Sequence, residues 1–522
     1  MYRTIVSITA AFIFLFTFPS YAKTFHWSSR GDILTMDPHA QNEGLTNNVS
    51  EQIYEPLVQW SKEFKLESCL AVSWSNPKPT VWQFKLRPNV KFHDGTPFNA
   101  DDVVFSIQRV LSPTSNFKSN TTGIIGATKV DNLTVDINLS APNPVLLQQL
   151  TDVRMMGKAW SIKNKAERPQ DYNNKEETFA ARNANGTGPY ILKSREPDVK
   201  TVLMFNPNWW GKREGDVNEV IYLPIKADAT RVAALLSGEV DFVLDPPPQD
   251  VARLKTTSGI KVTDGNEYRT IFLGFDQYRD ELLYSNVKGK NPFKDKRVRQ
   301  AVYHTIDAEA LKSRIMRGLS QPAGVIVAPQ VHGWNKALDT RLPHNTAKAK
   351  KLLAEAGYPS GFEVTLDCPN NRYINDEQIC QAVVAMLAQI GIQAKLNAMP
   401  RASYFPKIQK YDTSFYMLGW GVSTFDTLYA LDALAHSVTQ GSGSFNLGRY
   451  SNPKLDQLID AMRVETDLAK RDKIIEEALK LHSEEVAHVP LHHQVIPWAM
   501  KSTITIPHRA DNRVTLRWLQ WN

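Results

Sequence analysis

Strand-period and helix-period segments alternate along almost the whole of this 522-residue chain, and no Pro/Ser/Gly-rich linker separates them. VWQFKLRPNVKF and LTVDINLS alternate apolar and polar residues, so each reads as a strand. Between them NADDVVFSIQRVL places Val103, Ile107 and Val110 on one helical face, with Asn99 or Asp101 able to cap its start. NTAKAKKLLAEAGYPSG reads as a helix with apolar residues at Ala349, Leu352, Leu353 and Ala356, ended by Gly357. TNNVSEQIYEPLVQW and FKDKRVRQAVYHTIDAEALKSRI each read as one helix, and PLHHQVIPWAMK as a closing strand. ATRVAALLSGEVDFVLD is a helix, a glycine turn and a buried strand, stopped by PPPQD because proline cannot donate to a ladder. This alternation predicts a mixed α/β protein. A chain of this length exceeds one hydrophobic core and suggests roughly two to four domains. Without linkers, inserted domains are expected rather than beads on a string.

The N-terminus sets the compartment. Residues 1–22, MYRTIVSITAAFIFLFTFPSYA, join a positive start at Arg3 to an apolar run from Ile5 to Phe18. Ser20 and Ala22 then stand at −3 and −1 of a cut before Lys23, the three-part layout of a secretory signal. The run is shorter than the roughly 20 apolar residues of a spanning helix, so a cleaved signal is expected rather than an anchor. The mature protein is expected in a Gram-negative periplasm, with no membrane insertion. Export permits disulfides. EVTLDC reads as a strand ending at Cys368, and DEQICQAVVAMLAQIG as a helix carrying Cys380 in its first turns. A strand end and the next helix start lie within bridging reach, which predicts a Cys368–Cys380 disulfide and leaves Cys69 free and buried. The bridge would hold the loop CPNNRYIND, with Arg372, in one shape.

Composition narrows the function classes. Apolar content of 42% and charged content of 22% are those of a globular protein. The formal charge of +7 is spread without a run of five basic residues, unlike the clustered footprint of a nucleic-acid binder. No P-loop, G-x-S-x-G, H-E-x-x-H or C-x-x-C motif occurs, so no enzyme class is indicated, and no cofactor is expected. Gly441-Ser442-Gly443-Ser444 lacks the preceding apolar strand of a nucleophile elbow. His492 and His493 are adjacent in an alternating strand and face opposite sides, which argues against joint metal ligation. A purely structural envelope protein remains a rival, since it would need no closing cleft.

RGDILTMDPHA, IYEPLV, WQFKLRPNVKFHDGTPFNADDVVFSIQRV, GTGPY, NPFKDKRVRQAV, AKKLLAEAGYPSGFEVTL, FNLGRYSNPKLDQLI and PLHHQVIPWAM together span nearly the whole mature chain. In this set the chain resembles the periplasmic solute-binding proteins of the dipeptide, oligopeptide and nickel ABC-importer family, the family 5 extracellular solute-binding proteins. The resemblance implies an α/β two-lobed periplasmic-binding-protein fold (type II, cluster C) with an extra domain inserted in the first lobe. Carried onto this chain, lobe I combines 23–57, 183–270 and 485–522; the inserted domain II is 58–182; lobe III is 271–484. It implies a monomer that closes on short peptides of two to five residues and delivers them to an inner-membrane ABC permease and its ATPase subunits. Family relatives also bind nickel or other metal chelates, haem, glutathione, opines or oligosaccharides, so a non-peptide cargo on the same fold is the alternative. A metal chelate would suit Arg372 with a cleft histidine such as His436.

A zwitterion buried in a cleft needs an opposite charge or oriented dipoles at each end. By the resemblance, Arg372 takes the peptide carboxylate, for which its guanidinium fork is suited. Asp426, in GWGVSTFDTLYAL, takes the amine; its rival role is a cap for the helix TLYALDAL. GWGVSTFD is shorter than the family's usual loop and lacks its Asp-Pro-Asp string, which weakens that assignment. Gly419, Trp420 and Gly421 would offer an edge to an extended ligand, with Trp420 alternatively core. Asn42, Glu43, Gly44 and Thr46 match the first-lobe loop that faces the ligand, although Glu43 could be plain surface. Pro247 and Gln249 are further ligand candidates.

Overall fold

A computed structural model describes residues 23–522; the expected export signal, residues 1–22, lies outside the described residues. Two long strands, Ile260–Phe275 and His488–Lys501, organise everything else. They pair antiparallel and run through an 11-stranded sheet that serves both lobes. Toward lobe III, Ile260–Phe275 carries Phe415–Gly421, then Glu363–Pro369 and Gln393–Met399. Toward lobe I, His488–Lys501 carries Phe242–Leu244, Lys23–Ser29, Val217–Pro224, Lys200–Phe205 and Tyr190–Glu196.

Lobe III is buried on both faces of this sheet, and the strand period shows how. Ile271, Leu273, Phe275, Phe415 and Met417 join one core; Phe272, Tyr416, Leu418 and Trp420 join the core on the opposite face. Successive side chains leave a strand on opposite sides, so near-continuous apolar runs become two cores. Lobe I has its own core around Phe25, Trp27, Phe242 and Trp498.

The inserted domain is built on a four-stranded antiparallel sheet, Ala71–Lys78, Val81–Leu86, Thr134–Leu139 and Ile124–Asp131 in spatial order. The helix Ala100–Val110 packs on it. Asn99 and Asp102 form a reciprocal capping box, worth about 1 kcal/mol. Val103, Ile107 and Val110 are fully buried, each contributing roughly 1.5–3 kcal/mol.

Other segments depart from expectation. TNNVSEQIYEPLVQW is not one helix: the helix ends at Ile53 and Val58–Trp60 is a strand. The Ile53 carbonyl instead accepts the Gly188 amide at 2.9 Å. A Cβ at Gly186 would lie 1.9 Å from that carbonyl, which explains the glycines of GTGPY. The helix expected over 293–315 breaks into pieces, because the Asp307 side chain caps a new start at Ala308–Ala310. Gly357 ends Thr346–Glu355 with a φ of 90°, as a C-terminal glycine should.

Candidate functional site

The crossing strand Ile260–Phe275 changes register where it passes between the lobes. Asn266 faces Val495 and Thr270 faces His493, so Glu267, Tyr268 and Arg269 stand opposite Gln494 alone. A bulge of this kind re-aims side chains. Here it turns Tyr268 and Arg269 into a cavity of about 50 Å³ between the lobes. Lobe I contributes Asn42, Glu43, Gly44, Asn47, Asp511 and Arg513 to its walls; lobe III contributes Arg372, Tyr373, Leu418, Gly419, Trp420 and Gly421, with Ser423, Tyr429 and Phe445.

Arg372 sits on a loop fixed from three directions. Asp376 accepts the amides of Arg372 and Tyr373 at 2.7 and 2.9 Å. Cys368 and Cys380 are disulfide-bonded across the loop, and Cys69 is free and buried, both as expected. Arg30 of lobe I donates to the Tyr373 carbonyl. Burial pushes the Asp376 carboxyl up to about 6, against the pull of Arg30.

Glu43 is interior, not surface. Its Oε1 lies 2.9 Å from Arg372 Nε and 3.1 Å from Arg401 Nη1, two residues of the opposite lobe. Its Oε2 accepts the amide and hydroxyl of Thr46 at 3.0 Å, capping the helix Gly44–Ile53. Burial alone would raise this carboxyl, but Arg401 and Arg372 hold it down at about 2. Thr46 therefore positions Glu43 and does not line the cavity. Asn42 donates to the Tyr429 hydroxyl at 2.8 Å, a second link between lobes.

Trp420 lines the cavity with its ring against Tyr429 and Phe445, at centroid separations of 5.4 and 4.7 Å. Its buried Nε1 has no hydrogen-bond partner among the described residues. Gly419 and Gly421 pair with the crossing strand opposite Ile271 and Arg269. On its other edge this strand pairs with Leu366 and Asp367 only at Phe415 and Tyr416. Both glycines are required by close neighbours: added Cβ atoms would lie 2.5 Å from the Ile271 side chain and 2.4 Å from the Tyr268 ring.

Asp426 lies elsewhere. Arg471 grips it with two hydrogen bonds of 2.7 and 2.6 Å, His332 adds one at 2.9 Å, and Asp426 accepts the Leu428 amide as the cap of Thr427–Leu434. Burial is outweighed by these bonds, which hold its carboxyl at about 2. It is a cap inside lobe III, outside the cavity lining. Pro247 is buried before the helix Pro248–Thr256 and Gln249 is exposed; neither borders the cavity. His436 is buried against the Ser437 carbonyl, also away from it. Among the described residues no cluster of three His, Cys, Asp or Glu could hold a metal ion.

Sequence reasoning missed Arg269, Tyr268, Asp511 and Arg513. For Arg269 a signal existed: Glu267 and Arg269 are a charged pair at strand spacing beside the apolar run TIFLGF. Arg269 Nε lies 3.0 Å from Glu267 Oε1 and its Nη1 donates to the Gly419 carbonyl at 3.3 Å. Burial pushes the Glu267 carboxyl up, with Arg269 opposing. Asp511 is paired with Arg509, and Arg513 with Asp152 at 2.6 Å and Glu51 at 3.2 Å. Among the buried wall groups without a partner are two donors, Arg372 Nε and Trp420 Nε1, and the Ser423 hydroxyl.

A family model, bacterial extracellular solute-binding proteins, family 5 Middle, matches residues 65–442. The glutathione-binding protein GsiB of Pectobacterium atrosepticum is 28% identical over 460 residues, which cover 85% of this chain and 83% of that protein. The solved structure of the binding protein AgaA from A. tumefaciens R10, in complex with agropinic acid, superposes with a TM-score of 0.85 at 25% identity, covering 96% of this chain and 99% of the other. A dipeptide-binding protein from Pseudoalteromonas sp. SM9913, in complex with Met-Leu, superposes at 0.84 with 22% identity, covering 96% and 100%, a likeness of fold.

Proposed function

The chain belongs to the family 5 bacterial extracellular solute-binding proteins, the periplasmic substrate-binding components of ABC importers, and from that premise we propose that this member captures short acidic peptides. The ligand is two to five residues long and carries net negative charge. Arg372 takes a carboxylate, and the closed protein presents its cargo, chemically unchanged, to an inner-membrane permease with its ATPase subunits. The chain reaches the periplasm through a signal cleaved before Lys23 and works there as a monomer. Among the described residues no helix is long and apolar enough to cross a membrane.

One observation carries this reading. The Arg372 guanidinium borders the cavity, rests 4.8 Å from the Tyr373 ring, and touches Glu43 without a hydrogen bond of its own. A desolvated guanidinium with unused donors is stabilised by a carboxylate that arrives with a ligand. The wall carboxylates Glu43 and Asp511 are already paired with arginines, and Asp426 is held by Arg471. A free amine thus meets no spare carboxylate, so charge balance favours an acid over a neutral zwitterion.

Two of the similar proteins have acidic ligands. Glutathione, named for GsiB, is a tripeptide acid with two carboxylates, and agropinic acid, bound to AgaA, is also an acid. An opine-type acid is the second reading, favoured by the same donor-rich wall and by the likeness to AgaA. Native mass spectrometry of protein purified without refolding tests the assignment. The expected result is a retained mass matching a short peptide with at least one acidic residue. A haem, an oligosaccharide or a metal chelate in its place would overturn it.

A further inference from the structure

Arg269 belongs to the same cavity as Arg372 but reaches it from the crossing strand rather than from a loop. A Cβ added to Gly44 would lie 3.1 Å from Arg372 Nη2 and 3.5 Å from Arg269 Nη2. Two guanidinium groups thus converge on the space over one glycine, where any side chain would stand between them. Both are held from behind. Glu267 takes Arg269 Nε, and Gly419 takes its Nη1, which leaves Nη2 turned toward Gly44 and Gly421. The Tyr373 ring lies under both groups, 4.8 Å from the Arg372 guanidinium carbon and 6.0 Å from that of Arg269.

The rest of the wall points the same way. Trp420 is buried, lines the cavity and has an indole N–H with no partner among the described residues. The Glu267 carboxylate that neutralises Arg269 accepts from Gln494 at 2.6 Å on its far oxygen, so its acceptors are spent behind the wall. Two convergent guanidinium groups with free Nη2 donors and an unused N–H call for a ligand rich in acceptors.

We propose that Arg269 is a second anion-binding residue and that, with Arg372, it selects a ligand bearing two carboxylates. This rests on the reading of Arg372 as a carboxylate partner and adds the substrate class: dicarboxylic peptides rather than peptides in general. Arg269 stays in register opposite Gly421 on one edge of its strand, and the bulge against strand 488–501 sets it beside its counter-ion Glu267.

The test uses the full mature protein and three probes: Ala-Glu, Ala-Gln and glutarate. Ala-Glu and Ala-Gln share both termini and differ by one carboxylate. Titration calorimetry on the wild type is expected to give at least tenfold tighter binding of Ala-Glu, and measurable binding of glutarate. In the double variant Glu267→Gln/Arg269→Gln, which removes both members of the buried pair, the ratio of Ala-Glu to Ala-Gln affinity should fall to near one. Arg269→Lys, which keeps the charge opposite Glu267, should retain the fold and lose most of the preference. No preference in the wild type, or a tenfold preference surviving in both variants, overturns the proposal. If neither dipeptide binds, the peptide reading fails and glutarate still decides the clamp. Its binding must then be present in the wild type and lost in the double variant; absent from the wild type or unchanged in the variant, it refutes the clamp.

Discussion

Arg109 and Asp37 face each other as a two-pronged ion pair sealed from solvent, with Nη1–Oδ1 at 2.8 Å and Nη2–Oδ2 at 2.6 Å. Arg109 lies on the helix of the inserted domain and Asp37 on the loop after the first strand, so the pair pins the insert to lobe I. Burial would raise the Asp37 carboxyl, and Arg109 keeps it below its ordinary range. His39 completes the knot, 3.1 Å from Arg109 Nη1 and 2.8 Å from the Arg154 carbonyl.

Removing one partner of such a pair strands a buried charge. Asp37→Asn is predicted to cost about 3–5 kcal/mol, and Asp37→Leu/Arg109→Met distinctly less. Differential scanning calorimetry of the three proteins checks the ordering. Equal losses in the single and double variants would contradict the pair's role.

The disulfide fixes the Arg372 loop without forming any part of the cavity wall. Cys368→Ala/Cys380→Ala is predicted to weaken ligand affinity severalfold, because loop order must then be established on binding. Stability should fall by up to about 3 kcal/mol on loop-entropy grounds. Calorimetric titration of both proteins with the same acidic peptide measures the first effect; unchanged affinity would mean the loop is ordered without the bridge.

Acid should destabilise the protein in two stages. Burial lowers His482 to about 4 and His492 to about 3, against an ordinary 6.5. Each prefers the neutral form when folded, so its contribution is complete above about pH 6.5 and is lost as pH falls toward the folded value. Glu43 and Asp426, both held at about 2, add stability that is complete above the ordinary carboxylate range and is lost progressively as pH falls from there through 2. His492 has no hydrogen-bond partner at either ring nitrogen among the described residues. His492→Leu should therefore be tolerated at pH 7.5 and should flatten the decline of melting temperature between pH 6.5 and 4. A melting curve parallel to the wild type across that window would rule out His492 as a contributor.

Phe425 holds lobe III against its neighbours. Its ring lies 5.3 Å from Trp60 and 4.7 Å from Phe64, and 5.1 Å from Tyr268 on the crossing strand. Trp60 also donates to the Ser423 carbonyl at 3.2 Å. Each aromatic pair contributes about 0.5–1.5 kcal/mol, so Phe425→Ala is predicted to speed ligand release about tenfold. Stopped-flow tryptophan fluorescence reads the rate, and an unchanged rate would show that these contacts do not resist opening.

Local chemistry was readable in the sequence; long-range register was not. The helix at 100–110, its cap, the Gly357 stop and the Cys368–Cys380 bridge all depend on residues within a few turns of one another. Arg372 and the 419–421 strand were reachable because the family pattern carried them. The capping role of Asp426 was legible beside TLYALDAL, but its ion-pair partner, Arg471, is 45 residues away and nothing local announces it. The Glu267/Arg269 spacing was visible, but that Arg269 faces the cavity depends on how strand 260–275 pairs with strands 415–421 and 488–501. Glu43 could have been surface until two arginines of the opposite lobe were seen to meet it.

The central claim is that Arg372 receives a ligand carboxylate inside the closed cleft. Titration of wild type and Arg372→Ala with an acidic peptide and its C-terminal amide measures this directly. The account predicts that amidation weakens wild-type binding at least tenfold and leaves Arg372→Ala nearly indifferent. Equal affinity of acid and amide for the wild type, or the same gap in both proteins, would contradict it.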